Sequence, residues 1–484
     1  MIKSKLLHIS IILIFSGIFF QTRADGSADS VVSVPKRPVK AAIETVGLNL
    51  GIWAFDRYVL EADYAYIGWN TIRRNLRHNM VWDNDEFSVN LLLHPYQGGM
   101  YYNAARANGM SIGNSALYAV GGSLVWEYFL ENESPSLNDF ISTPLGGIGL
   151  GEITFRLANL LVDSRSTGWE RFGREFLGFV VNPVHGINRI ISGDAWRIYP
   201  YNRKMIESLP LRFTMAGGYR GLYDSQDVRI DNGAYIDFDL LYGNIFSVEN
   251  ERPYDAFSAS ITLNMVSNQP LLSDFNFIGE LWGKSVPLRN EKLDLHWGVF
   301  QHFDYYNSGS IEGQPYTNTY RIAEAAAFGI GGQLMYKVIN KTTLTSNLFV
   351  NAVLLGSSIT DHYRVDNRDY NLSSGFSTKF NLGLNYNQKA IIRTEFENYR
   401  LFTWNETSTD QNLPAEQEPQ TPNLRGDEGN TGFTVINLQF FYLFRQNYFF
   451  TFGSSAYLRN SHYRYYPDVQ SRILDSHVGV GYYF

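Results

Sequence analysis

The chain has no cysteine, which excludes disulfides, thiolate nucleophiles, cysteine-ligated metals and a lipid-modified cysteine anchor. Charge is scarce too. Asp, Glu, Lys and Arg make up 18% of 484 residues, below the roughly 25% usual in soluble domains. The net charge of −7 shows no basic excess, so nucleic acid is not an expected partner. No apolar run beyond residue 20 is long enough for a transmembrane helix, which excludes a polytopic helical membrane protein. A P-loop, a dinucleotide-binding glycine fingerprint and a His-Glu-x-x-His zinc motif are also missing. No cofactor and no metal are expected.

What is abundant is aromatic: 15% of the chain, with 42 glycines, at a mean hydropathy of only −0.21. The first 24 residues read as an export signal. Lys3 and Lys5 precede an apolar run from Leu6 to Phe20, and Thr22-Arg23-Ala24 offers a cleavage site after Ala24. The alternative is an N-terminal anchor, for which a run of about 15 residues falls short of the roughly 20 required. At the other end, Val478, Val480, Tyr482 and Phe484 alternate with His477, Gly479, Gly481 and Tyr483. A last strand ending in Phe484 resembles the terminal signal by which outer-membrane barrels engage their assembly machinery.

Residues 206–484 carry one period-2 segment after another. Phe257, Ala259, Ile261, Leu263 and Met265 alternate with Ser258, Ser260, Thr262 and Asn264. Phe380, Leu382, Leu384 and Tyr386 alternate with Lys379, Asn381, Gly383 and Asn385. This is the pattern of strands facing lipid on one side and a lumen on the other. The spacing predicts a membrane β-barrel of about twelve antiparallel strands. Their expected starts are near 209, 234, 255, 274, 291, 321, 341, 374, 389, 432, 447 and 474. Long connections near 221–233, 305–320, 358–373, 405–430 and 460–473 alternate with short ones near 286–290, 338–341, 386–389 and 445–447. An even count with both termini periplasmic follows. Phe440-Phe441-Tyr442 and Tyr448-Phe449-Phe450 suit the interfacial aromatic girdles. The loop 405–430 is rich in acid and reads as a solvated external loop, with a cation or ligand contact as the sharper alternative.

Residues 25–44 read as a polar linker and 45–205 as an α-helical domain. Helices are expected over about 45–77, 95–109, 113–131, from a Ser134-Pro135-Ser136 cap, and over 168–181, broken by Asn182-Pro183. Thr143-Pro144 is expected to restart the chain into the glycine-rich stretch Gly146 to Gly151.

Four clusters carry a resemblance. They are His94, Pro95, Gly98, Gly99, Tyr102, Arg106 and Gly109; Gly122, Ser123, Trp126, Glu127, Tyr128 and Glu131; Pro135, Ser136, Asn138, Asp139, Thr143, Pro144, Gly146, Gly147, Gly151 and Glu152; and Asn182, Pro183, Gly186, Asn188, Arg189 and Gly193. Over most of 80–200 the chain resembles an uncharacterised family of Gram-negative outer-membrane proteins with a domain of unknown function. The resemblance implies an export signal, a helical N-terminal domain and a C-terminal barrel. It supplies no substrate.

The candidate polar set is His94, Tyr102, Arg106, Glu127, Glu131, Asp139 and Glu152. Glu127 shares a helix face with Ser123 and Glu131, and Tyr102 shares one with Arg106. Acids facing His and Arg in a bundle suit acid–base chemistry or cation binding. The favoured reading is a structural network that ties helices together. Gly109-Met-Ser111-Ile-Gly113 matches a nucleophile-elbow pattern but lies between helices, so Ser111 reads as a cap. In the barrel half, Asp294, His296 and His302 share a face, as do Arg393, Glu395 and Glu397, and no histidine there has an evident Ser partner. Asp237, Asp239, Glu280, Lys284, Lys379 and Arg393 are expected to line the lumen.

The leading expectation is an outer-membrane barrel whose helical domain plugs, caps or docks under it, with a transport, envelope-organisation or assembly role. Its partners would be outer-membrane lipid and lipopolysaccharide, and the assembly machinery through Phe484. The alternative is an integral outer-membrane enzyme acting on lipid or lipopolysaccharide.

Overall fold

Side chains of a strand point alternately to its two faces, so the period-2 segments above each present one small or polar face and one apolar face. A computed structural model describes residues 30–484, except 84, 225–229, 247–251, 267–268, 287, 289, 309–319, 340, 363–368 and 405–426. The export signal, and most of the acidic loop, lie outside the described residues.

Twelve antiparallel strands close into a barrel. They are β1 Leu211–Asp224, β2 Ile230–Tyr242, β3 Phe257–Val266, β4 Leu272–Val286, β5 Leu293–Asn307, β6 Arg321–Lys337, β7 Thr343–Ile359, β8 Tyr370–Tyr386, β9 Ala390–Thr403, β10 Gly429–Arg445, β11 Tyr448–Tyr463 and β12 Val469–Tyr483. Each pairs with its chain neighbours, and β12 meets β1 with Val478 opposite Tyr219. The Phe484 N–H closes the seam on Phe213 O at 3.0 Å. Strand number and starts match the periodicity to within a few residues. Two expected long connections, after β1 and after β11, are shorter because the strands run on past them. One connection not expected to be long, between β2 and β3, lies at the end that carries the short turns.

Arg220, Asp237, Asp274, Tyr306, Glu397, Tyr457 and Asp475 converge from opposite sides on a cavity of about 120 Å³, which marks their face as the lumen. The alternate residues Leu438, Phe440, Phe450, Val478 and Val480 are exposed outward. Only alternate members of the aromatic triplets therefore join the outer belt. Phe441 and Phe449 are buried and meet edge-on at 5.6 Å.

Among the described residues, seven α-helices precede the barrel: α1 Pro38–Phe55, α2 Trp69–Asn75, α3 His94–Ala107, α4 Ile112–Phe129, α5 Leu137–Leu161, α6 Gly168–Val181 and α7 Pro183–Ser192. The expected linker ends early, because Pro38 starts α1 in its first turn, where its missing N–H costs nothing. The expected 45–77 helix is interrupted. A π-helical turn over Asp56–Leu60 ends at Glu61 in a left-handed conformation, before α2 begins. Ser136, not Pro135, opens α5, its side chain accepting Asp139 N at 3.2 Å.

The expected restart at Thr143-Pro144 does not occur; α5 runs unbroken through Pro144. An interior proline costs a helix about 3 kcal/mol, and here the surrounding packing offsets it. A Cβ on Gly147 would lie 2.5 Å from Gly98 C, and one on Gly98 would lie 1.8 Å from Thr143 O, so α3 and α5 touch backbone to backbone. Asn182-Pro183 does end α6, but it also starts α7, with the Asn182 side chain accepting His185 N at 3.0 Å.

Among the described residues, no helix lines the lumen cavity. α5 lies along the outer wall of the barrel. A Cβ on Gly149 would meet Phe277 Cζ at 2.4 Å, one on Gly146 would meet Ala325 O at 3.0 Å, and Gln301 Nε2 donates to Leu145 O at 2.8 Å. Phe277 alternates with the lumen residues Asp274 and Asn276. Phe87 packs on Tyr305 and Tyr370 at 5.2 and 5.6 Å, and Tyr305 alternates with the lumen residue Tyr306. α6 and α7 leave apolar side chains exposed: Trp169 is 84% exposed and Ile191 75%, and Phe172, Phe176, Val180 and Ile190 are exposed too. No helix among the described residues is long and apolar enough to cross a membrane by itself.

Candidate functional site

The seven candidate residues fall into two separate networks. The first centres on Glu152, fully buried on α5. Its Oε2 accepts Tyr102 Oη at 2.8 Å and Arg106 Nε at 2.7 Å. Its Oε1 accepts Arg106 Nη2 at 3.1 Å and Arg156 Nε at 3.0 Å. Tyr102 and Arg106 reach it together because they sit one turn apart on α3. Arg156 continues to the barrel, donating to Asp255 Oδ1 at 2.8 Å and Pro253 O at 2.9 Å. Each Glu152 oxygen already accepts two bonds, which leaves little capacity for a substrate or an ion. This chain joins α3, α5 and the β2–β3 connection.

The second network lies at the opposite rim, around His94 and Asp139. His94 Nε2 is 3.4 Å from Asp85 Oδ2 and 3.6 Å from Asp139 Oδ2. Asn138 Nδ2 donates to Asp83 Oδ2 at 3.0 Å and to Asp139 Oδ1 at 3.1 Å, and Asn90 Nδ2 donates to Asp83 Oδ1 at 2.7 Å. Glu127 Oε2 accepts Ser136 N at 2.7 Å, and Trp126 Nε1 donates to Glu131. Asn90 Nδ2 also reaches Tyr370 Oη at 2.5 Å, and Tyr370 Oη donates to Asp85 O at 2.7 Å, so the cluster is fastened to the start of β8.

Protons are unevenly held here. Burial pushes Glu127 and Asp139 well above the usual carboxylate range, helped by Glu131 for the first and by Asp83 for the second. Burial also pushes Glu131 up to about 8. Burial would raise Asp83, but hydrogen bonds from Asp139, Ser136 and Asn90 hold it down at about 2. Burial would lower His94, but the Asp85 carboxylate outweighs it and holds the imidazole above its ordinary value. The arrangement is an ionised Asp83 beside a protonated Asp139, with His94 leading out to the partly exposed Asp85. Among the described residues no group of three or more His, Asp or Glu has the disposition of a metal site. Sequence reasoning missed Asp83, Asp85, Asn90 and Asn138. The Asp83 to Asp85 run and the Asn138-Asp139 pair were the available signals.

The lumen closes on its own side chains, not on the helical domain. Arg220 bonds Asp475 at 2.5 Å and Asn264 at 2.8 Å. Lys379 pairs with Asp304 and, at 2.7 Å, with Glu324. Tyr306 and Tyr399 donate to Glu397 at 2.8 and 2.6 Å, and Tyr320 stacks on Tyr457 at 4.0 Å. Lys284 does not line the lumen. A bulge between Glu280 and Trp282 reverses the alternation, and Lys284 is exposed opposite the exposed Trp297. Asp294, His296 and His302 do share a face, but they form no cluster: Asp294 pairs with Lys337 at 2.7 Å, and buried His302 has no hydrogen-bond partner among the described residues. His296 does have a Ser partner: Ser285 Oγ lies 3.2 Å from its Nδ1. Ser111 caps α4, accepting Asn114 N at 3.3 Å. In the acidic loop, Asp427 is buried and accepts His362 N at 2.9 Å, so it anchors chain and is not solvated.

Residues 79–184 match the model of a domain of unknown function, DUF3943. The matched segment contains all seven candidate residues; the barrel-side partners Asp255, Pro253 and Tyr370 lie outside it. No curated protein matches the chain. Solved structures similar to it include OmpT of Vibrio cholerae, at 10% identity over 58% of this chain and 99% of that one, with a TM-score of 0.24. Outer membrane phospholipase A from Escherichia coli matches at 12% identity over 56% and 92%, with a TM-score of 0.25. The toluene transporter TodX of Pseudomonas putida matches at 8% over 58% and 90%, with a TM-score of 0.23. The barrel assignment rests on the strand ladders, and DUF3943 brings no activity with it.

Proposed function

We propose that this is an outer-membrane protein whose barrel is closed to diffusion and whose DUF3943 segment lies beside the barrel, among lipids, in an envelope-organising role. The observation that carries this is the seat of α5 on the outward residues Phe277, Gln301 and Ala325, together with the exposed apolar side chains of α6 and α7. A lone soluble domain seldom leaves so large an apolar patch uncovered, and lipid is the solvent that suits it. The barrel exterior, with Leu438, Phe440, Val478 and Val480 exposed, suits the same surroundings. The end with Phe484 and the 387–389 and 446–447 turns would face the periplasm. Phe484 would be the assembly signal, and lipid or lipopolysaccharide the partner of the helical face.

Photo-cross-linkers placed at Trp169 and Ile191 test this. In native membranes they should capture lipid or lipopolysaccharide. Capture of a soluble periplasmic protein alone would overturn the reading. A second reading, an enzyme acting on lipid through His94, Asp139 and Asp83, is favoured by the uneven protonation of that Asp pair. It predicts that Asp139→Asn stays folded while the cellular phenotype is lost.

A further inference from the structure

The barrel carries a second constellation, distinct from both networks above. On the lumen face near the end that holds Phe484, Ser285 Oγ lies 3.2 Å from His296 Nδ1, and His296 Nε2 lies 2.8 Å from Glu280 Oε1. Serine, imidazole and carboxylate are thus joined in the order that nucleophilic acyl transfer requires, the imidazole bonded through one nitrogen to each neighbour. Ser285 is exposed, while His296 and Glu280 are buried.

The fold builds this arrangement in three steps. Ser285 and His296 are direct partners across the β4–β5 ladder. Glu280 and Ser285 are five residues apart, which would put them on opposite faces of a regular strand. The bulge between Glu280 and Trp282 removes one step of alternation and brings both carboxylate and hydroxyl inward. Gly283 then leaves the necessary gap: a Cβ there would lie 1.9 Å from Glu280 Oε1 and 2.2 Å from His296 Nε2. Deeper in the barrel, buried Phe300 and Phe349 meet edge-on at 5.0 Å, which leaves little room there for a long acyl chain.

The geometry points to a serine acyl hydrolase site formed by Ser285, His296 and Glu280, acting on esters with a short acyl group that reach the mouth from water. Ser285 Oγ forms a bond to the acyl carbon and passes its proton to His296 Nδ1, while Glu280 holds the imidazolium through Nε2–H. The bond to the leaving alcohol breaks, and the alcohol takes that proton. Water then adds to the acyl-serine, returning a proton through His296, and the carboxylic acid leaves. Ser285 and His296 are the catalytic residues; Glu280 is a positioning residue.

The test uses the full-length protein in detergent, with its fold checked by heat-modifiable gel migration. A fluorophosphonate probe should phosphonylate Ser285, as located by mass spectrometry, and Ser285→Ala should abolish labelling. His296→Gln should slow it at least 100-fold. Glu280→Gln should slow labelling and Glu280→Asp should restore part of it, a dependence on the carboxylate that a merely structural role would not show. p-Nitrophenyl acetate should be cleaved faster than the palmitate ester. Folded wild type that is not labelled, or labelling that persists in folded Ser285→Ala, would overturn the assignment. If Glu280→Gln fails to fold, the serine and histidine variants still decide it.

Discussion

At the scale of single residues, the two networks respond differently to substitution. Glu152 is ionised between two arginines. Glu152→Gln breaks a buried charged pair on both sides, and such losses cost about 3–5 kcal/mol, so it should lower the melting temperature of the helical CD signal markedly. Glu127 is the contrasting case. Burial holds it protonated, and glutamine imitates a protonated carboxyl. Glu127→Gln should change stability by less than about 1 kcal/mol, whereas Glu127→Ala, which strands the Ser136 N–H, should cost about 1–3 kcal/mol. Equal effects of the two Glu127 variants in the same melt would contradict this. The rim cluster also sets a pH dependence. Glu131, Asp139, Glu127 and His94 all hold protons more tightly when folded. Their stabilisation is complete below the unfolded values and is lost as pH rises through the folded ones. For Glu131 that window runs from its ordinary 4.5 to about 8. His94 adds a further loss above its ordinary 6.5. Asp83 acts oppositely, but only below its ordinary 3.8. The helical domain should therefore melt higher at pH 5.5 than at pH 8.5, and Glu131→Gln should flatten the difference.

At the scale of elements, what the sequence made legible was periodicity, and what it hid was local irregularity. Twelve strands and most helices follow from the spacing of apolar residues. The lumen assignment of Lys284 failed because a one-residue bulge is silent in the sequence yet inverts every side chain after it. The same bulge concealed the Ser285 partner of His296. Pro144 was read as a break because local propensity says so, and tertiary packing overrode it through glycines whose purpose appears only when α3 is set against α5. Tyr102 and Arg106 were correctly placed on one face, but their shared target Glu152 lies in another helix, beyond the reach of spacing arguments. That packing makes a prediction at its own scale. In Gly147→Val the added side chain enters the Gly98 backbone, so α3 and α5 must separate. Overpacking of this kind costs about 1–3 kcal/mol or more. The variant should retain heat-modifiable barrel migration while the helical domain becomes protease-sensitive.

At the scale of the whole molecule, the question is which part governs permeability. A twelve-strand barrel falls between those filled by side chains and those wide enough to conduct freely. Here Arg220, Lys379 and their partners span the lumen, while the helices sit on the outer wall. Wild-type protein in planar bilayers should show no steady unitary conductance, and removing the helical domain should not create one. Arg220→Ala should. It frees Asp475 and leaves Asp237 and Asp274 facing the cavity without the guanidinium that lies among them. The resulting current should be cation-selective, because the exposed charges are acidic. Anion-selective current, or large conductance on losing the helices alone, would return the helical domain to the permeation path and remove the basis for placing it among lipids.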